Sequence, residues 1–239
     1  MGSIPITRSN IHRTWTNRPV STQALSGIRS PQLEAQAGAL YSAALPYHNF
    51  DHIQDTLTSA AMIIERCQEE HIRIDVEVVY FALLFHDAGY QDDHLAQGFA
   101  TKERYSAALA APILRQHGVS AAQIEKTVAA ILATERDALS VSAEQKAVRA
   151  ADLSGLAAHY PLFLQSSLRL KREHEYLYGR TLSWTDWQKT SRDVLGHYLT
   201  QEIRLTSYFH DGQGESSFHK AVRNNLNLLL AETGEPTAL

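Results

Sequence analysis

Apolar residues recur every three or four positions along most of the chain, which is the spacing of an amphipathic α-helix. This pattern prevails from residue 32 onward. It predicts helices at about 33–44, 47–70, 75–87 and 101–117, from Ser120, from Ser142, from Pro161, within 183–209, and at 218–232. The segment 75–87 is apolar nearly all round and has strand propensity as well, but no second strand-like run exists to pair with it. The sequence therefore predicts a single all-α domain.

Helix boundaries are marked by short polar words. Ser120 precedes Gln123 by three residues, and Ser142 precedes Gln145 by three, so both pairs match the capping box at a helix start. Glycine and polar residues cluster at 89–98 and again at 211–214. These two stretches predict a loop and a turn.

The N-terminal stretch differs from the rest. It holds four arginines and no acidic residue before Glu34, and its prolines interrupt any helical periodicity. We interpret residues 1–31 as a partly disordered tail and residues 32–239 as the helical domain. A transit peptide is also rich in arginine and poor in acids, so organellar targeting stays open as an alternative.

Composition narrows the function classes. The 239 residues carry 22 Lys and Arg against 26 Asp and Glu, a net charge of −4, which argues against a nucleic-acid polymer as partner. The longest apolar run, Val78–Phe85, is eight residues, too short to cross a membrane. The single cysteine, Cys67, cannot form an intrachain disulfide and fits a reducing, cytoplasmic compartment.

The twelve histidines include several beside carboxylates. His48 and His52 are four residues apart, so a helix through both would place them on one face, with Asp55 beside them. His86 and Asp87 end an apolar helix, where two ionisable groups lose hydration. That loss is costly unless a partner such as a metal ion compensates for it. Asp152 follows small, apolar residues in another predicted helix. Ligands from three helices would then form a mixed nitrogen and oxygen metal site, as helical bundles often do.

The order His52, His86, Asp87, Asp152 resembles that of the HD superfamily of metal-dependent phosphohydrolases. The words PYHNFDH, FHDAGY, KERYSA and AADLSGL are similar to those of small HD phosphohydrolases, and the resemblance runs from about Leu33 to Glu232. The word YHNFDHIQD also resembles the YHNxxHxxD signature of cyclic-nucleotide phosphodiesterases.

That resemblance implies an HD-type helical bundle in which His52, His86, Asp87 and Asp152 hold a first divalent metal ion, Mn, Zn, Fe or Co. Asp87 would bridge to a second site that can hold Mg. His48 corresponds to the phosphodiesterase histidine that protonates the leaving oxygen, and Glu103 would contact metal-bound water. The implied activity is hydrolysis of a small phosphate ester, a nucleotide or a related monoester or diester, by metal-activated water.

Departures from the pattern leave alternatives open. The purine-binding glutamine of phosphodiesterases is followed three residues later by Phe, and none of the later glutamines here has that neighbour. HD-type oxygenases use further histidines between the HD pair and the last Asp, where this chain has only His94 and His117. An HD-type metal oxygenase and a metal-binding module without turnover are the two alternatives.

Other charged and aromatic residues receive simpler interpretations. Four basic residues near the motifs are candidates for steering a phosphate: Lys102, Arg104, Arg136 and Arg149. The run Lys171, Arg172, Glu173, Glu175 is typical of a solvated, salt-bridged helix face. Trp184 and Trp187, three residues apart, are expected to pack their helix onto the core.

Overall fold

The computed structural model describes residues 23–203 and 216–236. Within these ranges the chain forms ten α-helices and no strand, which confirms the all-α prediction. In chain order they are α1 (Gln23–Ser26), α2 (Pro31–Gly38), α3 (Phe50–Glu69), α4 (Val76–Phe85), α5 (Lys102–Gln116), α6 (Ala121–Leu132), α7 (Ala143–Asp152), α8 (Tyr160–Tyr178), α9 (Trp184–Leu199) and α10 (Ser217–Ala231). The turn predicted at 211–214 and residues 1–22 lie outside the described ranges.

Helix α4 is the centre of the fold. Every side chain from Val78 to Phe85 is buried, and α3, α5, α6 and α7 all pack against it. This position explains why the segment is apolar nearly all round, since a helix surrounded by others has no solvent face. The strand that its β-branched residues would also have permitted does not form.

In a second group of helices, α8 and α10 pack against a short 3₁₀ turn at Leu153–Ala157, and α9 packs against α10. The Asn225 side chain of α10 donates hydrogen bonds to the carbonyls of Leu156 and Ala158, at 2.9 and 2.8 Å. Both tryptophans of α9 are buried as predicted, and the Trp187 indole donates to the Ser167 hydroxyl of α8 at 2.9 Å. The 3₁₀ turn directly follows Asp152, so this packing also fixes the end of α7.

The segment before α2 packs against the domain. Leu25 is buried in the core, and Arg29 binds Glu34 and the side chain of Gln54 on α3. The Tyr80 hydroxyl of α4 donates to the same Glu34 carboxylate at 3.0 Å. Residues 23–30 are therefore attached to the bundle by both apolar and polar contacts.

Several helix boundaries differ from the periodicity-based expectation. Helix α2 ends at Gly38, and α3 begins at Phe50, because the Asn49 side chain caps it by accepting from the backbone N–H groups of Asp51 and His52. The Ser142–Gln145 capping box is present in full, whereas Ser120 caps α6 through its hydroxyl alone. His48 therefore precedes the helix, and its expected place on one helical face with His52 is wrong.

None of the described helices combines the length and the apolar character needed to cross a membrane.

The Asn49 cap generates a stability prediction. Its side chain also donates to the Leu45 carbonyl at 2.9 Å, so it joins the loop to α3. Asn49→Ala should lower the free energy of unfolding by about 1 kcal/mol, the usual cost of losing an N-cap. Asn49→Asp keeps the capping acceptor and should lose less. Urea unfolding with a chelator present measures both variants without a contribution from bound metal, and equal losses would contradict the capping role.

Candidate metal centre

Three helix ends place the four predicted ligands. His52 lies in the first turn of α3, directly after the Asn49 cap. His86 and Asp87 follow the last residue of α4, and Asp152 is the last residue of α7. Because α3 and α7 both pack against α4, the three ends meet on one side of the central helix.

The structure brings these four side chains together. The imidazole Nε2 of His86 lies 3.1 Å from Asp87 Oδ2 and 3.3 Å from Asp152 Oδ1. The Nε2 of His52 lies 3.6 Å from each of the same two oxygens. The ligand atoms of His52, His86 and Asp87 all lie within 4.8 Å of one another, and Asp152 adjoins both imidazoles.

The protonation of His86 follows from its backbone contact. Its Nδ1 lies 2.9 Å from the Leu83 carbonyl, which can only accept, so Nδ1 carries the proton. Its Nε2 then holds a lone pair directed at the carboxylates. A backbone carbonyl that fixes the tautomer in this way is the usual second partner of a metal-binding histidine.

The two Nε2 atoms provide the test of whether a cation fits. Both are buried, and neither has a hydrogen-bond partner, since the nearby carboxylate oxygens are not placed to complete one. Buried polar atoms without a partner are rare and costly. Two imidazole nitrogens and two carboxylates suit a divalent transition metal better than Ca²⁺, which prefers oxygen alone. His52, His86 and Asp87 can hold a metal ion, and Asp152 is close enough to join them.

The carboxylates are held in the ionised form that metal ligation requires. Burial alone would raise the pKa of Asp87, but the adjacent imidazoles of His86 and His48 lower it below its usual range when they are protonated. Burial would likewise raise the pKa of Asp152, and the adjacent imidazoles of His52 and His86 lower it. The cluster therefore favours its charged state at neutral pH.

A second group of side chains adjoins the cluster, centred on His48. The backbone N–H groups of Tyr47 and His48 both donate to Glu173 Oε2 at 2.8 Å, and the His48 Nδ1 donates to Glu173 Oε1. Glu173 is buried on α8, and the hydrogen bond from His48 outweighs that burial and lowers its pKa. Because the ionised carboxylate accepts the hydrogen bond from Nδ1–H, the second ring nitrogen, Nε2, is the one that can face a substrate.

The position of His48 is set by stacking as well. Its ring lies on Tyr90 with centroids 3.8 Å apart and planes within 12°. The His48 and His52 centroids are 5.8 Å apart, so the two histidines adjoin although no helix carries both. The Lys102 ammonium sits 3.7 Å above the Tyr90 ring centroid, where burial lowers its pKa and the charge of Asp87 opposes that change.

Glu103 lies in the first turn of α5, next to Lys102 and partly buried. Its charge contributes to raising the pKa of Tyr90, an effect led by burial of that phenol. It is therefore near the His48 group. No contact between Glu103 and the metal-ligand cluster is present, so its expected role remains a prediction.

Comparison with known proteins yields no assignment, because the sequence matches no protein-family model and no curated protein.

Sequence reasoning missed Glu173. The run around it was expected to be solvated, but Lys171 and Glu173 are only 3% and 2% exposed. Lys171 forms ion pairs with Glu175 and Glu235, at 2.8 and 3.0 Å. Glu173 pairs instead with His48. A solvated-face interpretation is wrong for these two residues, because charge alone does not reveal which carboxylates and amines have buried partners.

The basic residues near the motifs separate into different roles. Arg149 is buried and donates to the carbonyls of Ala133, Glu135 and Arg136, so it is a structural cation and not free to bind phosphate. Arg104 lies 3.7 Å from the Glu135 carboxylate. Lys102 is the one of the four that adjoins the His48 group.

A further cation not singled out from the sequence, the exposed Arg169 of α8, lines a small cavity of about 60 Å³ together with His52 and Asp152.

The cluster predicts a metal dependence that variants can resolve. Wild-type protein should bind a divalent transition metal, and His86→Ala and Asp152→Ala should lose it. With metal at about 100 times its Kd, the wild type should gain about 2.7 kcal/mol of stability that both variants lack. Elemental analysis and thermal unfolding with added Mn²⁺ measure this.

His94→Ala is the matched control, since this loop histidine is outside the cluster and should leave metal content and the Mn²⁺ response unchanged. A wild-type protein that takes up no metal on reconstitution would contradict the prediction.

Proposed function

We propose that the protein is an HD-type metal-dependent phosphohydrolase that cleaves a small phosphate ester. The observation that carries this proposal is the pair of buried, unpartnered Nε2 atoms of His52 and His86 facing two carboxylates. A Mn, Zn, Fe or Co ion is proposed for this cluster, with Mg at a second site next to Asp87. A cation held there supplies Lewis acidity toward a phosphoryl oxygen and lowers the pKa of water.

His48 is proposed to act as the general acid that protonates the leaving oxygen. Glu173 accepts from its Nδ1–H, so in the protonated imidazolium the Nε2–H of His48 is the group that can donate to the leaving oxygen of an ester bound beside the cluster. The same carboxylate accepts from two backbone N–H groups, which fixes the loop that carries His48. Stacking on Tyr90 restricts rotation of the imidazole. Glu173 is thus a positioning residue for His48.

Two basic side chains are available to bind the anionic substrate. Lys102 lies above Tyr90 on one side of the site, and Arg169 lines the small cavity that also contains His52 and Asp152. Each can neutralise phosphoryl oxygens without displacing a ligand of the cluster. A site with two such side chains suits one phosphate group, and the net charge of −4 gives no general attraction for a polyanion.

The central test is turnover by the purified protein after reconstitution with Mn²⁺. A panel of phosphate monoesters, diesters, mononucleotides, cyclic mononucleotides, single-stranded DNA and RNA should show hydrolysis of small esters only. Asp87→Asn should abolish it. Consumption of O₂ by the iron-loaded protein without any phosphate release would favour an oxygenase instead. Turnover confined to DNA or RNA would contradict the small-substrate proposal.

The role of His48 predicts a leaving-group effect. His48→Ala should retain metal and lose about 10²–10⁴-fold in kcat for an alkyl phosphate, whose leaving oxygen needs a proton. The loss should be much smaller for 4-nitrophenyl phosphate, whose leaving group departs as a stable anion. Glu173→Gln should lower kcat in the same leaving-group-dependent manner and alter the pH profile. Equal losses on both substrates would show that His48 is not the acid.

A further inference from the structure

A cavity of about 260 Å³ lies between α8 and α9, beside the metal centre. Its walls come from one face of each helix and from the 3₁₀ turn after Asp152. Six large apolar side chains contribute to these walls: Leu156, Phe163, Leu170, Trp187, Val194 and Leu195. An apolar cavity of about 150 Å³ is enough to hold benzene, so this one has room for a larger ring or an alkyl chain.

The cavity adjoins the proposed catalytic groups. It is lined by Tyr47, Tyr90 and Glu173, which contact His48, and by Lys102, whose ammonium lies above the Tyr90 ring. Tyr47 also lines the small polar cavity of His52 and Asp152, and its ring centroid lies 4.7 Å from that of His52. A molecule with its phosphate at the metal centre would therefore extend its remaining part into the apolar cavity.

Apolar surface is exposed where the cavity reaches solvent. Leu177, Tyr178 and Val194 all line it, and they are 38%, 66% and 38% exposed. Large apolar side chains exposed together at the rim of a pocket are typical of a binding site for an apolar group.

Hydroxyl, imidazole, ammonium and carboxylate groups line parts of the cavity, including the buried, unpartnered Nδ1 of His174, but most of its surface is apolar. No Asn, Gln, Asp or Arg lines it among the described residues, and its one carboxylate, Glu173, is already bound to His48. The Ser167 hydroxyl accepts from Trp187, and the Thr190 hydroxyl donates to the Asp186 carbonyl. A nucleobase and its ribose carry many donors and acceptors, each of which is costly to bury without a partner.

On the basis of the proposed function, we propose that this cavity binds the alcohol part of the ester, and that this part is an apolar chain or ring instead of a nucleoside. Lys102 and Glu173 stand at the junction, where the polar phosphate and the apolar group of one molecule would meet. The substrate class is thus the phosphate ester of an apolar alcohol.

The test is calorimetric binding of ethyl-, butyl- and hexylphosphonate to the Mn²⁺-loaded protein, since these compounds cannot be hydrolysed. The association constant should rise about fourfold for each methylene that enters the cavity. Adenosine monophosphate should bind more weakly than hexylphosphonate. An association constant that does not depend on chain length, or tighter binding of adenosine monophosphate, would overturn the inference.

A matched pair of variants locates the effect. Val194→Trp places a large ring in the cavity and should weaken hexylphosphonate binding about tenfold while leaving ethylphosphonate unchanged. Leu228→Trp is the control, because Leu228 on α10 is similarly exposed, at 39%, but does not line the cavity. Equal effects of the two variants on hexylphosphonate would overturn the inference.

Turnover of the corresponding alkyl phosphates separates this inference from the proposed function. Hydrolysis that shows no dependence on chain length would overturn the inference and leave the phosphohydrolase proposal intact. Binding that strengthens with chain length but without any hydrolysis would support the apolar cavity and contradict the phosphohydrolase proposal.

Discussion

The packing of helices α3, α4 and α7 brings two carboxylates and two imidazoles together at the end of the apolar helix α4. His86 is buried directly after α4, whose side chains exclude water from Val78 to Phe85. Burial at this position is costly for ionisable groups unless they are compensated. Mutual charge attraction supplies part of the compensation, and the unpartnered Nε2 atoms mark where a cation can supply the rest. The helix ends of α3 and α7 are positioned around that requirement.

Much of this could be predicted from the sequence because the signals are local. The helical period, the apolar character of α4 and the Ser142 cap each depend on residues within a few positions of one another. The set of His52, His86, Asp87 and Asp152 could also be predicted, since paired ionisable residues among apolar neighbours stand out. The first residue of α3 could not be predicted. The apolar pattern continues through His48 and Asn49, but Asn49 acts as the N-cap, and the cap determines where α3 begins.

The interactions that sequence reasoning missed are long-range. Glu173 is 125 residues from His48, and no local pattern distinguishes it from the exposed Arg172 beside it. Arg149 was expected near phosphate, but the three backbone carbonyls it binds belong to the loop between α6 and α7. Both residues become interpretable only when separate helices are placed against one another. Buried charge is where tertiary packing overrides the usual expectation of exposure.

The carboxylate of Glu173 belongs to two structures at once, the hydrogen-bonded loop at Tyr47 and His48 and the wall of the apolar cavity. Any shift of α8 that widens or narrows the cavity also moves the partner that orients His48. In the proposed enzyme, substrate recognition and proton transfer would therefore be mechanically coupled through a single helix. Under this coupling, a poorly fitting substrate would be penalised in the rate of the bound complex as well as in its affinity, so selectivity would extend to kcat.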